Sequence, residues 1–404
     1  MQHTLDDSIS GWDRTFLDLS SKMTEPFCSV WNLLCFRLVA PLDPQKFENC
    51  STKTREVATR TLIGLGAVLG AYLSYLNPLA VLSGVIGLGV ASKVARAIGF
   101  AFQKEGYTHI RGVSSEKTLD SKNPEAKLMT WNVCGIGGGL SLDHGGVIHW
   151  RSRLDGIVAK IKSEDPDVLV LQEIYDAALA EALIDKLKND YAHFYIHMGP
   201  TLMGNVGGCM VLSKCAVHHF SHTSFENNDW TLNRGFANVE IKASPKDTRP
   251  CLSFIGTHLI HGSSPESNER RFAQVRQIVN SVKRRTFAIP TLLAGDLNLE
   301  RDKPEGKILS DHLTHAYLGN ESTCTNGLSN QWSKKTSGVD DEIIDYISLF
   351  KRTLPDGSTL PVIDTNIELA NCHQVRAYDS TYNTKTALSD HNGISLTVKG
   401  LYPR

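Results

Sequence analysis

An excess of charge of one sign is missing from this chain: 42 Lys and Arg stand against 43 Asp and Glu, for a formal net charge of -1. With no global basic field, nothing draws the protein onto nucleic acid at long range, and a nuclease reading loses weight. The nine cysteines, an odd number, contain no CxxC pair and no zinc-ligand spacing. Cys134, Cys209 and Cys251 sit inside apolar runs instead, which predicts mostly reduced thiols in a cytosol-facing domain rather than a disulfide framework. An apolar leader core is also lacking, because Asp6, Asp7 and Asp13 stand where it would lie, and no signal peptide is expected. There is no internal repeat and no low-complexity tract, which excludes a repeat array.

Charge is absent altogether from Thr61 to Ser92. These roughly 32 residues, rich in Leu, Gly, Ala and Val, exceed the ~20 needed to cross a bilayer. Asn77-Pro78 breaks the run near its middle into two lobes of roughly 15 residues, so a membrane hairpin or re-entrant segment competes with one tilted span. Lys53, Arg55 and Arg60 precede it and Lys93, Arg96 and Lys104 follow, which suits both ends on one cytosolic face. Gly64, Gly66, Gly70, Gly84, Gly87 and Gly89 would let two helices approach closely. Pro26 to Leu42 is a second apolar patch, with Cys28 and Cys35 in it and Cys50 beyond. It reads either as an interfacial segment whose cysteines accept acyl chains or as a packed helix. The division is therefore an N-terminal region (1–60), a membrane segment (61–104), a linker (105–126) and a catalytic domain (127–404).

Beyond the linker, apolar runs alternate with amphipathic stretches, the pattern of a layered α/β domain. Strands are expected at Leu128 to Val133, Val168 to Leu171, Gly208 to Leu212, Phe236 to Ile241, Leu252 to Thr257, Thr291 to Ala294, Ile343 to Leu349 and Gly393 to Val398. In Glu266 to Arg285, Phe272, Val275, Ile278, Val279 and Val282 recur at helical spacing, while Arg271 and Gln274 leave that stripe.

Short polar motifs end or follow these runs in a fixed order: Trp131-Asn132-Val133, Leu171-Gln172-Glu173, Thr257-His258-Leu259, Gly295-Asp296-Leu297-Asn298, Ile344-Asp345-Tyr346 and Ser389-Asp390-His391. Carboxylates, amides and two histidines at strand ends are what hydrolysis of a phosphate ester by a hard cation needs. Glu173 closes an apolar strand and is the leading ligand for Mg²⁺. Asn132 offers an amide oxygen to that ion or an amide donor to phosphate. Alternation after Thr291 to Ala294 turns Asp296 and Asn298 toward one face. His391, near neutral pKa, is the general base. Asp390, adjacent to it, suits a metal or water ligand. His258 could donate to a non-bridging oxygen or protonate the leaving group. Arg234 could place a positive charge near phosphate, but a surface arginine is the favoured account.

This ordered set resembles the endonuclease/exonuclease/phosphatase superfamily over nearly all of residues 127 to 399, and within it the membrane-bound neutral sphingomyelinases. The spellings Asn132-Val133-Cys134, Leu171 to Asp176 and Gly256-Thr257-His258-Leu259 carry that likeness. The N-terminal match is one of layout, two apolar segments ahead of a catalytic domain. The resemblance implies an α/β four-layer sandwich of two mixed β-sheets flanked by helices, preceded by a helical membrane-associated region. It implies that Asp345 buttresses His391, that Asp296 orients water and substrate, that Asn298 binds a phosphate oxygen, and that Arg271 and Gln274 pack beneath the site. Two departures narrow the substrate. Cys134 stands where abasic-site endonucleases carry an Asp, and Asp341 to Asp345 lacks the aromatic-Cys-Asp-Arg signature of inositol-polyphosphate 5-phosphatases. The expectation is a membrane-associated, Mg²⁺-dependent phospholipase C-type enzyme acting on sphingomyelin, anchored through residues 61–92. A phosphoinositide phosphatase, a nuclease or a catalytically silent membrane adaptor are the alternatives.

Overall fold

The computed structural model of the protein describes residues 15–16, 19–20, 22–23, 50–101, 106–136, 150–200, 206–228, 232–262, 264–284, 289–300, 304–316, 343–353, 359–360, 367–376 and 388–402. The patch from Pro26 to Leu42, with Cys28 and Cys35, and most of the polar stretch from Glu300 to Glu342 lie outside these residues.

Two helices come first, α1 (Cys50–Leu76) and α2 (Pro78–Ala101), separated at Asn77. The break falls at Asn77-Pro78, where a proline without an N–H suits the first turn of a new helix. The helices run on past the charge-free stretch, so the two short lobes are in fact helices of 27 and 24 residues. By length and composition α2 could cross a membrane. The glycines do not bring the helices together as expected: a Cβ built on Gly66, Gly70, Gly84, Gly87 or Gly89 meets nothing within 4 Å. Leu79, Leu82, Ile86 and Val90 of α2 are exposed. Only Ser92, Ala95, Gly99 and Phe100, spaced as one helical face, turn inward at its far end.

The stretch expected as a linker is built into the domain. There β1 (Thr108–Arg111) is the edge of a seven-stranded sheet, antiparallel to β4 (His193–Ile196), and Leu119 joins the core. The rest of this sheet is β2 (Glu125–Asn132), β3 (Val168–Gln172), β5 (Met210–Ser213), β14 (Glu368–Val375) and β15 (Gly393–Lys399), in the order β1-β4-β5-β3-β2-β15-β14. A six-stranded sheet holds β6 (Val217–Ser224), β7 (Gly235–Ile241), β8 (Leu252–His258), β9 (Thr291–Asp296), β10 (Leu313–His315) and β11 (Asp345–Phe350), in the order β10-β11-β9-β8-β7-β6. Each sheet is mixed, with one parallel pair, β2 beside β3 and β8 beside β9. A small hairpin of β12 (Arg352–Thr353) and β13 (Thr359–Leu360) stands apart. Within the two large sheets, the expected strands leave out β1, β4, β6, β10 and β14. All but β4 are sheet edges, where half-exposed faces leave little apolar alternation to read.

Three apolar layers hold the sandwich together. Leu128, Val170, Phe254, Leu292, Ile347 and Leu396 fill the gap between the sheets. Trp131, Leu169 and Leu171 face outward from the first sheet onto α3 (Trp150–Glu164) and α4 (Ala177–Leu187). Ile255, Leu293 and Tyr346 face outward from the second onto α5 (Pro265–Lys283) and α6 (Lys307–His312). Helix, sheet, sheet, helix is the four-layer order expected, and the site forms at one end of the inner gap.

Candidate active site

The period of two along each strand decides which side chains meet. In β2, Ala126 and Leu128 point into the gap between the sheets, and Asn132 shares their parity. The same count carries from Leu252 and Phe254 to His258, from Leu292 and Ala294 to Asp296, and back from Leu349 and Ile347 to Asp345. Register then lines up three of them: His258 lies opposite Asp296, and Asp296 opposite Asp345. A polar row thus ends an apolar gap.

Asn132 bridges the two sheets. Its amide nitrogen donates to Glu173 Oε1 and to Asp296 Oδ2, each at 3.1 Å, while its oxygen accepts from the Cys134 N–H at 3.0 Å. In this arrangement the amide is a clamp between two carboxylates rather than an exposed oxygen ligand. Glu173 follows β3 with φ of 63°. That left-handed turn, sparsely populated by residues other than glycine, aims its carboxylate at the site instead of continuing the strand.

His391 arrives from the other side, ahead of β15. Ser389 donates to the Asn132 carbonyl at 2.6 Å and accepts from the His391 N–H, and Trp131 Nε1 donates to the His391 carbonyl at 3.0 Å. Its Nδ1 lies 2.8 Å from Asp345 Oδ2 and its Nε2 3.9 Å from Asp296 Oδ2. Nδ1 thus carries the proton shared with Asp345, leaving Nε2 for substrate. His258 Nε2 lies 3.5 Å from Asp296 Oδ2. Asn298 does not reach the site by strand alternation. The strand stops at Asp296, and Asn298 turns at φ 49°, donates its N–H to Asp296 Oδ1 at 2.9 Å and its amide to the Leu259 carbonyl at 3.1 Å. Asp390 is half-buried and accepts from Ser389.

Burial and like charge set the protonation. Asp296 is pushed up to about 7, by burial and then by Asp345. Glu173 is raised by burial and by Asp390. Burial opposes the imidazolium of His391, but Asp345, then Asp390 and Asp296, lift its pKa well above the usual range. His258 falls well below it, through burial, Arg234 and His391, and stays neutral.

Two arginines that sequence reasoning left out hold this geometry. Arg234 is buried, not on the surface. It donates to the Leu259 carbonyl at 3.0 Å and to the Tyr175 hydroxyl at 3.4 Å, and feels Glu173 and Asp296. Arg153 of α3, also buried, donates to the carbonyls of Val133 at 2.7 Å, Cys134 at 2.6 Å and Leu388. It ties the turn after Asn132 to the loop before His391. One helical turn past Trp150, it looks in sequence like any charged helix residue. Arg271 and Gln274 pack beneath the site as expected: Arg271 donates to the Ile260 carbonyl at 2.9 Å and Gln274 accepts from its N–H at 3.0 Å.

Whether a hard cation fits is a question of donor chemistry. Asp296 is buried and Glu173 half-buried, both with raised pKa values, Asp390 stands beside Glu173, and the donors are oxygen. Crowded carboxylates that burial makes costly to ionise are what a divalent cation relieves. Ligand atoms of Asp296, Asp345 and His391 also lie within 4.8 Å of one another. The 2.8 Å bond between Asp345 and His391 already engages Nδ1, which makes the Glu173 side the better seat.

Known proteins carry the same body. Sphingomyelinase C 2 of Leptospira interrogans is 26% identical over 212 residues, covering 47% of this chain and 33% of the relative. The 5'-tyrosyl-DNA phosphodiesterase of Caenorhabditis elegans is 26% identical over 194 residues, 47% of each chain. This chain thus spans about half or less of the length of these curated relatives. A mutant of beta toxin from Staphylococcus aureus with bound magnesium ions superposes with a TM-score of 0.52 at 22% identity, over 67% of this chain and 99% of the toxin, a likeness of fold. Residues 129–391 match the model of the endonuclease/exonuclease/phosphatase family, and with that match over more than half its length the chain belongs to this family.

Proposed function

We propose that this phosphodiesterase-fold protein is a membrane-associated, Mg²⁺-dependent phospholipase C-type enzyme that hydrolyses sphingomyelin to ceramide and phosphocholine, its catalytic domain facing the cytosol. The carrying observation is the convergence of the His391–Asp345 pair, Asp296, His258 and Glu173 at one end of the inter-sheet gap, beside a docked helix whose remaining length exposes leucine and valine. Likeness to a sphingomyelinase over nearly half the chain supports the lipid reading.

Mg²⁺ held by Glu173, with Asp390 and the Asn132 amide beside it, would neutralise charge on the phosphoryl oxygens. In its neutral form, which the raised pKa confines to higher pH, His391 takes a proton from water at Nε2 as the water oxygen attacks phosphorus, and Asp345 holds the ring and stabilises the imidazolium. Asp296 orients the water. The bond from phosphorus to the ceramide oxygen breaks, that oxygen takes a proton from solvent water to leave as the alcohol, and His391 returns its own proton to solvent. Neutral His258 cannot deliver much acidity, so its N–H serves a non-bridging oxygen instead. Asn298 adds an amide donor, and Arg234 adds positive charge behind Glu173.

The test is phosphocholine release from mixed micelles with Mg²⁺, wild type against His391→Ala. Release lost in the folded variant supports the reading, and equal release in both refutes it. Likeness to a DNA phosphodiesterase supports a second reading, so plasmid nicking and tyrosyl-DNA cleavage belong in the same assay. Activity there without phosphocholine release would replace the lipid substrate.

A further inference from the structure

The inward face at the end of α2 sits against the segment that carries Glu173. Arg96 Nη2 donates to the Tyr175 carbonyl at 2.9 Å, and Asp176 lies within its electrostatic reach. Phe100, one turn later, packs against Ala177 and Val206 and meets the His197 ring edge-on at 5.6 Å. Ala95 and Gly99 on the same helical face are also buried. Upstream, α2 is exposed over about three turns, so this short face is where the apolar hairpin and the sandwich are joined.

The docking point has few ways to move. Ile174 N–H donates to the Gly208 carbonyl at 2.8 Å, and a Cβ on Gly208 would strike the Tyr175 ring at 2.4 Å. The Tyr175 hydroxyl accepts from Arg234, which in turn feels Glu173. Asp176 caps α4 by accepting the Ala178 N–H, and accepts from Trp150 Nε1 at 2.8 Å. Glu173 itself sits at positive φ, a conformation that persists only where surroundings over-determine it. Arg96 supplies one of those constraints from outside the domain.

We propose that Arg96 is a positioning residue for Glu173: by holding the Tyr175 carbonyl, the end of the apolar hairpin sets the carboxylate on the metal side of the site. This rests on Glu173 being a metal ligand. A hydrogen bond from a charged donor to a half-buried carbonyl is large enough that its loss should weaken divalent-ion binding about tenfold.

The experiment measures Mn²⁺ binding by electron paramagnetic resonance, with Mg²⁺ competition, on the full chain in detergent micelles. Wild type, Arg96→Ala, Arg96→Lys and Glu173→Gln are compared, and amide exchange is followed over residues 174–180. The expected result is weaker Mn²⁺ binding and faster exchange in Arg96→Ala, partial recovery in Arg96→Lys, and the weakest binding in Glu173→Gln. Lower thermal stability in Arg96→Ala with wild-type Mn²⁺ affinity, while Glu173→Gln binds poorly, would overturn the proposal and leave Arg96 a structural contact. Unchanged binding in Glu173→Gln would overturn the metal assignment instead, and this inference with it.

Discussion

Replacing Arg153 by methionine tests how the turn after Asn132 and the loop before His391, at neighbouring strands of one sheet, are held together at the site. The methionine fills most of the volume and removes only the guanidinium, which donates to the carbonyls of Val133, Cys134 and Leu388. All three acceptors lie in a buried region, and each one left without a donor costs about 1–3 kcal/mol. Relaxation and entering water recover part of this, so a net loss of about 3–5 kcal/mol is expected, a large share of a domain's ~5–15 kcal/mol. Urea unfolding followed by the fluorescence of buried Trp131 and Trp150 measures it. Because the clamp joins the turn after Asn132 to the loop before His391, activity at a concentration of urea too low to unfold the variant should also fall, in kcat more than in KM. Lysine can reach one carbonyl and should recover only part of either loss. A stability change under about 1 kcal/mol, or full activity in the methionine variant, would refute the clamp.

Other outcomes follow from the same geometry. In Asp345→Asn, His391 loses the main charge that favours its imidazolium while burial still opposes it, so its pKa falls. Activity requires the neutral ring, so the acid limb of the pH–rate profile, recorded at saturating Mg²⁺, should move to lower pH as the plateau drops by about 10²–10⁴. An unmoved limb would remove His391 as the base. Gly295 sits at φ 149°, where a Cβ would come within 1.9 Å of the Thr257 carbonyl. Gly295→Ala should therefore push β9 from β8, separate Asp296 from His258, and lower both the melting temperature and phosphocholine release, whereas wild-type values would show that the strands accommodate the methyl.

Much of this site was legible because strand parity is local. The run Thr291 to Ala294 places Asp296 in the inter-sheet gap by counting alone, and His258 follows in the same way from Leu252 and Phe254. Asn298 escaped that count because the backbone turns left-handed after Asp296, and alternation ends where the strand does. Arg153 and Arg234 escaped because nothing beside them in sequence marks an arginine whose partners are carbonyls of distant segments. Edge strands such as β6 and β14 carry too little apolar pattern to read, and β1 reads as linker because four residues ahead of a polar stretch show no period.

The sequence by itself determined the α/β layering, the helix break at Asn77-Pro78, the absence of a net charge to attract nucleic acid, and the chemical types gathered at the strand ends. Each of these depends on composition or on neighbours along the chain. Only the tertiary structure decided that Asn132 clamps two carboxylates, that Arg234 is buried behind Glu173, and that the end of α2 rests on Tyr175. Those contacts join segments tens to hundreds of residues apart, and sequence-local patterns hold no record of such distances until the sheets pack.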